Sequence, residues 1–231
     1  MKKFNAKGFT LVELMIATAV FSIIMMVCLA VFLQIGRMYY KGVTYAKAQE
    51  TSRSILEDIS QNIQYGSENP YVDCIDGAGA CGGRVWFCVG DKRYTLTRKK
   101  ELVDSAPVAS QSLHVLQREA GYKGGGLSNC PSPANPLYPV SANATELVPR
   151  GVQISRFGIS KTFPTSNTTW DIGLRVVVGD SVSSDVMEAY TPSVPTISDG
   201  TGPIDVRCKA GPGTQFCAES ELSTTVTKRL Q

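Results

Sequence analysis

Histidine is almost missing from this sequence: His114 is the only one in 231 residues. A lone imidazole, here in an alternating segment, reads as structural rather than as a general base. No G-x-S-x-G, H-E-x-x-H or Walker-type loop occurs, and no lysine–hydroxyl pair follows Gly124-Gly125-Gly126 to complete a phosphate cradle. C-x2-C pairs are also missing, so a zinc site is not expected. Asp73 and Asp76, near Gly77 and Gly79, match no established calcium-loop spacing. These absences predict a protein that is not an enzyme and holds no cofactor or metal.

Net charge is nearly absent too, and its location matters more than its size. The formal excess is +3, and Lys2, Lys3 and Lys7 supply all of it in a segment without acids. Taking those three from 23 basic residues leaves 20, matching the 20 acidic ones. Beyond the first eight residues the chain is formally neutral, which argues against nucleic acid as a partner. The one tight basic cluster, Arg98-Lys99-Lys100, is expected at the solvated end of a hairpin.

What the sequence does have is a twenty-residue run without charge, Leu14 to Leu33, diluted only by Thr18, Ser22 and Cys28. As a helix it reaches ~30 Å, about one hydrocarbon core, so a membrane span is predicted. A cleaved secretory signal fits poorly. The run is longer than an ordinary apolar signal region, and no small-x-small site follows, the next residues being Gln34-Ile35-Gly36-Arg37. An acid, Glu13, also stands at its start. Charge does not orient the span, because Arg37, Lys41 and Lys47 follow it closely.

The segment Gly8-Phe9-Thr10-Leu11-Val12-Glu13-Leu14, behind a basic leader, is similar to the cleavage and methylation motif of type IV pilins and type II secretion pseudopilins. The resemblance implies that a prepilin peptidase cuts after Gly8, that Phe9 becomes an N-methylated terminus, and that Glu13 acts in assembly. It further implies other pilin or pseudopilin subunits and an inner-membrane assembly platform as partners. The protein is then expected as a single-pass protein of the bacterial inner (cytoplasmic) membrane, its C-terminal domain outside the cytoplasm, and as a filament at the periplasm or cell surface. The physics of Glu13 agrees. A carboxylate in a span needs a partner, and the freed ammonium of Phe9, on the same or a neighbouring subunit, supplies one. The plainer alternative is that Glu13 snorkels to the interface. Many major pilins carry a helix-kinking proline where this chain has Ala30, a departure that points to a minor subunit.

Past the run, apolar or small residues recur at Ile35, Met38, Tyr39, Gly42, Val43, Ala46, Ile55, Leu56, Ile59 and Ile63, with no proline before Pro70. The spacing predicts that one helix continues to about Gly66 and lays this face on the domain. Residues 67–231 read as β-rich. Arg84 to Val89 and Lys92 to Arg98 flank Gly90-Asp91, a two-residue hairpin turn, and Gly151 to Phe163 with Trp170 to Gly179 make a second antiparallel pair. Leu113 to Arg118 and Ser223 to Leu230 are further strands, while Gly121 to Pro139 and Pro192 to Gly213 read as long loops. The fold class is therefore α+β: a long N-terminal helix packed on a C-terminal antiparallel sheet domain. Its expected parts are a leader (1–8), a span (9–33), an amphipathic continuation (34–66) and an extracytoplasmic domain (67–231).

Of seven cysteines, Cys28 lies in the span. The other six, Cys74, Cys81, Cys88, Cys130, Cys208 and Cys217, are disulfide candidates with fifteen possible connectivities. Cys208–Cys217, closing a short Pro/Gly loop, is the expected bridge; the rest stay open. The leading functional expectation is a minor pilin-type subunit of a type IV pilus or related filament. A pseudopilin of a type II secretion or DNA-uptake system is the alternative. A reading of a different class is a single-pass membrane protein with a ligand-binding or hydrolase domain.

Overall fold

A computed structural model describes residues 8–66, 69–74, 84–98, 100–103, 111–120, 130, 144–162, 168–179, 187–190, 205–209 and 216–229. The chain divides into two compact units, Met1–Tyr40 and Lys41–Gln231. Helix α1, Leu11–Tyr65, supplies the first unit and enters the second. With 55 residues it extends ~80 Å. In the first unit its large apolar side chains are all solvent-exposed, from Leu11 to Tyr40. It is the one described helix long and apolar enough to cross a membrane, by length and composition. The span's hydroxyls are satisfied within the helix: Thr18 Oγ1 donates to the Met15 carbonyl and Ser22 Oγ to that of Thr18, at 3.0 and 2.8 Å.

In the second unit the same helix changes character. Ala48, Thr51, Ser52, Ile55, Leu56, Ile59 and Ile63 are buried, a stripe at three- and four-residue spacing. The amphipathic face is thus shorter than its sequence pattern: Ile35, Met38, Tyr39 and Val43 remain exposed. The helix stops at Tyr65, and Gly66 donates its N–H to the Asn62 carbonyl at 2.9 Å.

Twelve strands follow among the described residues: β1 (Tyr71–Cys74), β2 (Arg84–Val89), β3 (Lys92–Thr97), β4 (Glu101–Leu102), β5 (Gln111–Ser112), β6 (Leu116–Glu119), β7 (Ala144–Glu146), β8 (Val152–Lys161), β9 (Thr169–Val178), β10 (Met187–Tyr190), β11 (Asp205–Cys208) and β12 (Ala218–Thr227). One antiparallel sheet runs β1-β2-β3-β6-β7 and another β12-β9-β8; β10-β11 and a parallel β4-β5 pair are separate. The β2–β3 hairpin turns at Gly90-Asp91, where Gly90 takes φ 58°, a left-handed conformation that a side chain disfavours. β8 and β9 pair antiparallel as the sequence predicts, but a bulge between Ile154 and Arg156 shifts their register. Val152 and Ile154 before it, and Phe157 and Ile159 after it, consequently all join the core although their numbering changes parity. Predicted boundaries move, and β6 runs Leu116–Glu119 rather than Leu113 to Arg118. β12 begins at Ala218 rather than Ser223, and the predicted loop 192–213 contains β11, paired to β10 from Met187↔Cys208 to Tyr190↔Asp205.

The core joins the helix stripe to both larger sheets. Phe87 of β2 stacks on Tyr94 of β3 at 4.8 Å and on Phe157 of β8 at 5.0 Å. A polar cluster fastens α1 beside them. The buried Tyr94 hydroxyl donates to Asp58 Oδ2 at 2.8 Å and accepts from Asn62 Nδ2 at 2.6 Å. Arg118 of β6 pairs with the other Asp58 oxygen, and Lys92 donates to Asn62 Oδ1. Burial, reinforced by the Asp58 carboxylate, holds the Tyr94 phenol far above its ordinary range. Asp58 is therefore a half-buried anchor of the helix. Arg98 also departs from the solvated hairpin end expected for it, since it is buried.

Candidate processing and assembly site

The sequence-predicted site residues fall into two groups, and the first is built by the start of α1. Gly8 precedes the helix, and a side chain placed on it would meet nothing within 4 Å. Phe9 is 81% exposed, and Gly8 beside it is exposed as well. Thr10 is the N-cap, with Leu11 first in the helix and Glu13 third. Glu13 Oε2 accepts the Thr10 backbone N–H at 3.0 Å and the Thr10 hydroxyl at 2.8 Å. In return the Glu13 N–H donates to Thr10 Oγ1 at 3.3 Å. This is a reciprocal capping box, satisfying two of the donors that a helix start leaves unpaired.

Sequence reasoning assigned Glu13 a partner in the ammonium of Phe9, which does not exist until the leader is removed. In the uncut chain Thr10 supplies the carboxylate's contacts instead. The signal was present as Thr10-x-x-Glu13 ahead of an apolar run, a pattern that predicts a capping box without reference to any family.

The second group is the cysteines. Cys88 bonds to Cys130 and Cys208 to Cys217, each pair with Cα atoms 5.6 Å apart. Trp86 Nε1 donates to the Cys130 carbonyl at 3.1 Å, holding that residue against β2. Cys74 lies in β1, Cys81 and Asp76 lie outside the described residues, and Cys28 is a free thiol exposed on α1.

His114 has a structural setting: its Nδ1 is 3.3 Å from Glu146 Oε2. Glu146 ends β7 and closes the approach to β6, accepting backbone N–H groups from Val115, Leu116 and Val148 at 3.2, 2.8 and 3.3 Å. Burial raises the Glu146 carboxyl to about 7 against the opposing pull of those three donors, and burial lowers His114. The pair braces a strand crossing. Among the described residues no group of three His, Cys, Asp or Glu side chains is placed to hold a metal ion.

One comparison with known proteins falls on the segment that holds the first group. Residues 3–32 match the family model of the prokaryotic N-terminal methylation motif, covering Lys3, Lys7, Gly8, Phe9, Glu13 and most of the apolar run. No curated protein and no solved structure matches the chain. The motif implies processing by a peptidase and assembly with other pilin subunits, and with the exposed apolar helix it suggests membrane anchoring. The match over residues 3–32 supports a place for this chain among type IV pilin-like precursors, and points to a structural subunit rather than an enzyme.

Proposed function

We propose that the protein is a minor pilin-type subunit, cut after Gly8 by a prepilin peptidase and assembled through α1 into a type IV pilus or related filament. One observation carries the reading: the methylation motif stands directly before a helix whose large apolar side chains are exposed from Leu11 to Tyr40. Such a surface is stable only in lipid or against other helices. Residues 9–33 form the span and filament core, while the domain that follows is displayed outside the cytoplasm, where its disulfides persist. Minor rather than major status rests on Ala30 at the kink position and on the large, cysteine-rich domain.

Glu13 sets register. Cleavage frees an ammonium at Phe9, and the carboxylate exchanges its Thr10 contacts for that charge on a neighbouring helix. A misplaced subunit leaves the acid unpaired in a dry bundle, which is strongly disfavoured. Mass spectrometry of the mature protein tests the processing, with a methylated N-terminal Phe9 as the expected result. An intact Met1, or a cut after the apolar run, refutes the reading. Glu13→Leu is expected to be cleaved normally and yet to be missing from sheared filaments; normal incorporation would refute the register role.

A further inference from the structure

Access separates the two disulfides found among the described residues. Cys88 and Cys130 are both buried, whereas Cys208 is half-buried. Cys208 and Cys217 also line a cleft of about 290 Å³ within the second unit, beside Tyr45, Ala218 and Glu219. A thiol in solvent therefore reaches this bridge more readily than the other, and access is one of the factors that set the rate of thiol–disulfide exchange.

The reachable bridge joins elements that the backbone leaves separate. Cys208 ends β11, and Cys217 immediately precedes β12. β10 and β11 pair with each other, and among the described residues no backbone hydrogen bond ties them to another sheet. β11 nevertheless lies against β8, β9 and β12, all three strands of one sheet. That sheet has a buried strip on the face turned away from the core. Alternation sets the register partners Gln153 and Val177 opposite their neighbours Val152, Ile154, Val176 and Val178, which join the main core. Even so, Gln153 is only 2% exposed and Val177 0%. β11 is in place to cover them.

We propose that Cys208–Cys217 is a site of thiol–disulfide exchange, at which a protein dithiol entering the cleft unlatches β10–β11 from the outer face of the β12-β9-β8 sheet. A thiolate of the dithiol attacks Sγ of Cys208, the more exposed of the pair, and expels Cys217 as a thiolate. The second thiolate of the dithiol then attacks its own bridged sulfur, closing the partner's disulfide and releasing Cys208. Two electrons pass from the dithiol to the bridge, and the two protons it gives up are matched by two taken up at Cys208 and Cys217. Reduction leaves β10–β11 held by side-chain contacts alone, so the hairpin opens locally while the rest of the domain stays folded. The inference concerns the second unit by itself and goes beyond the filament reading.

The test is run on the full, oxidised chain in detergent micelles. Under limiting dithiothreitol, followed by alkylation and peptide mass mapping, Cys208–Cys217 is expected to open about tenfold or more faster than Cys88–Cys130. Equal or slower opening overturns the exchange site. Deuterium uptake is then compared between the parent and a chain carrying Cys208→Ser and Cys217→Ser. Uptake in Met187–Tyr190 and Asp205–Cys208 should quicken by about tenfold or more, while β2–β3 and β8–β9 keep their protection. Unchanged uptake in β10–β11 overturns the latch. Lost protection across the whole domain overturns it as well, because the bridge would then be a staple of the global fold. The parent with only this bridge opened by dithiothreitol must give the same pattern, which keeps the test decisive if the double variant does not fold.

Discussion

Replacing Asp58 with alanine removes the acceptor of a fully buried phenol and the partner of an arginine in a single step. Tyr94 is 0% exposed, and its proton goes to Asp58 while its lone pair takes the Asn62 amide. Without Asp58 that O–H is a buried donor lacking an acceptor, at a cost of about 1–3 kcal/mol. Losing the half-buried Arg118 pair adds roughly 1 kcal/mol. The domain should therefore lose about 2–4 kcal/mol, lowering Tm by roughly 2–4 °C for each kcal/mol in a domain of this size. Tyr94→Phe removes the stranded proton altogether and should cost only about 1 kcal/mol by itself. The double variant is expected to be little worse than Asp58→Ala, giving a coupling energy of about 1 kcal/mol. Urea unfolding of the detergent-solubilised, oxidised chain, followed by tryptophan fluorescence, reads this cleanly. Both tryptophans, Trp86 and Trp170, lie in the sheets and none in the apolar run. Strict additivity of the two substitutions, or an Asp58→Ala midpoint indistinguishable from the parent, would refute the idea that the network fastens the helix to β3 and β6.

The pH dependence of the domain should carry the imprint of Glu146. Its folded pKa, raised by burial to about 7 from 4.5, means that the folded state holds the proton more tightly; this contribution is full below about pH 4.5 and is lost as pH rises through 7, by up to about 3 kcal/mol. Glu146→Gln should flatten the change in urea midpoint between pH 5 and pH 8, and an undiminished slope in that variant would be inconsistent with the assignment. His114 works in the opposite sense, its lowered pKa withdrawing stability as pH falls through the folded value, so the measurement is best repeated with His114→Asn. Gly66→Ala should destabilise by about 1–3 kcal/mol, since its Cβ would stand 2.5 Å from the Asn62 carbonyl oxygen; a neutral effect in the same fluorescence assay contradicts the close approach. Thr10→Val removes the capping hydroxyl and should speed amide exchange over Leu11–Leu14 in micelles, while Thr10→Ser restores protection; equal exchange in all three chains would count against the capping box.

The beginning of this protein is determined by local chemistry, and the sequence is enough to read it. A basic leader, Gly8-Phe9 and Glu13 before twenty uncharged residues mark a pilin-like precursor with a membrane-compatible helix, because each feature acts through its neighbours in the chain. The β2–β3 hairpin is legible for the same reason: Gly90-Asp91 dictates the turn, and the turn fixes the register. β8 and β9 are visible as strands, but the bulge near Ser155 is not, since alternation alone cannot say where one extra residue is inserted. The short strands β1, β4, β5, β7, β10 and β11 carry too few residues for a pattern and exist through their partners.

Tertiary structure alone decides the rest. Periodicity gives α1 one apolar face from Ile35 to Ile63, but the domain covers it only from Ala48 onward, so the same pattern is exposed first and core afterwards. Tertiary structure buries Arg98, expected at a solvated hairpin end, and half-buries Asp58 against Tyr94 of β3 and Arg118 of β6, strands distant from it in sequence. Pairing Cys88 with Cys130 requires β2 to meet a residue 42 positions away. Contacts within a few residues are written in the chain itself; contacts across tens of residues appear only when hydrophobic burial has chosen which surfaces meet.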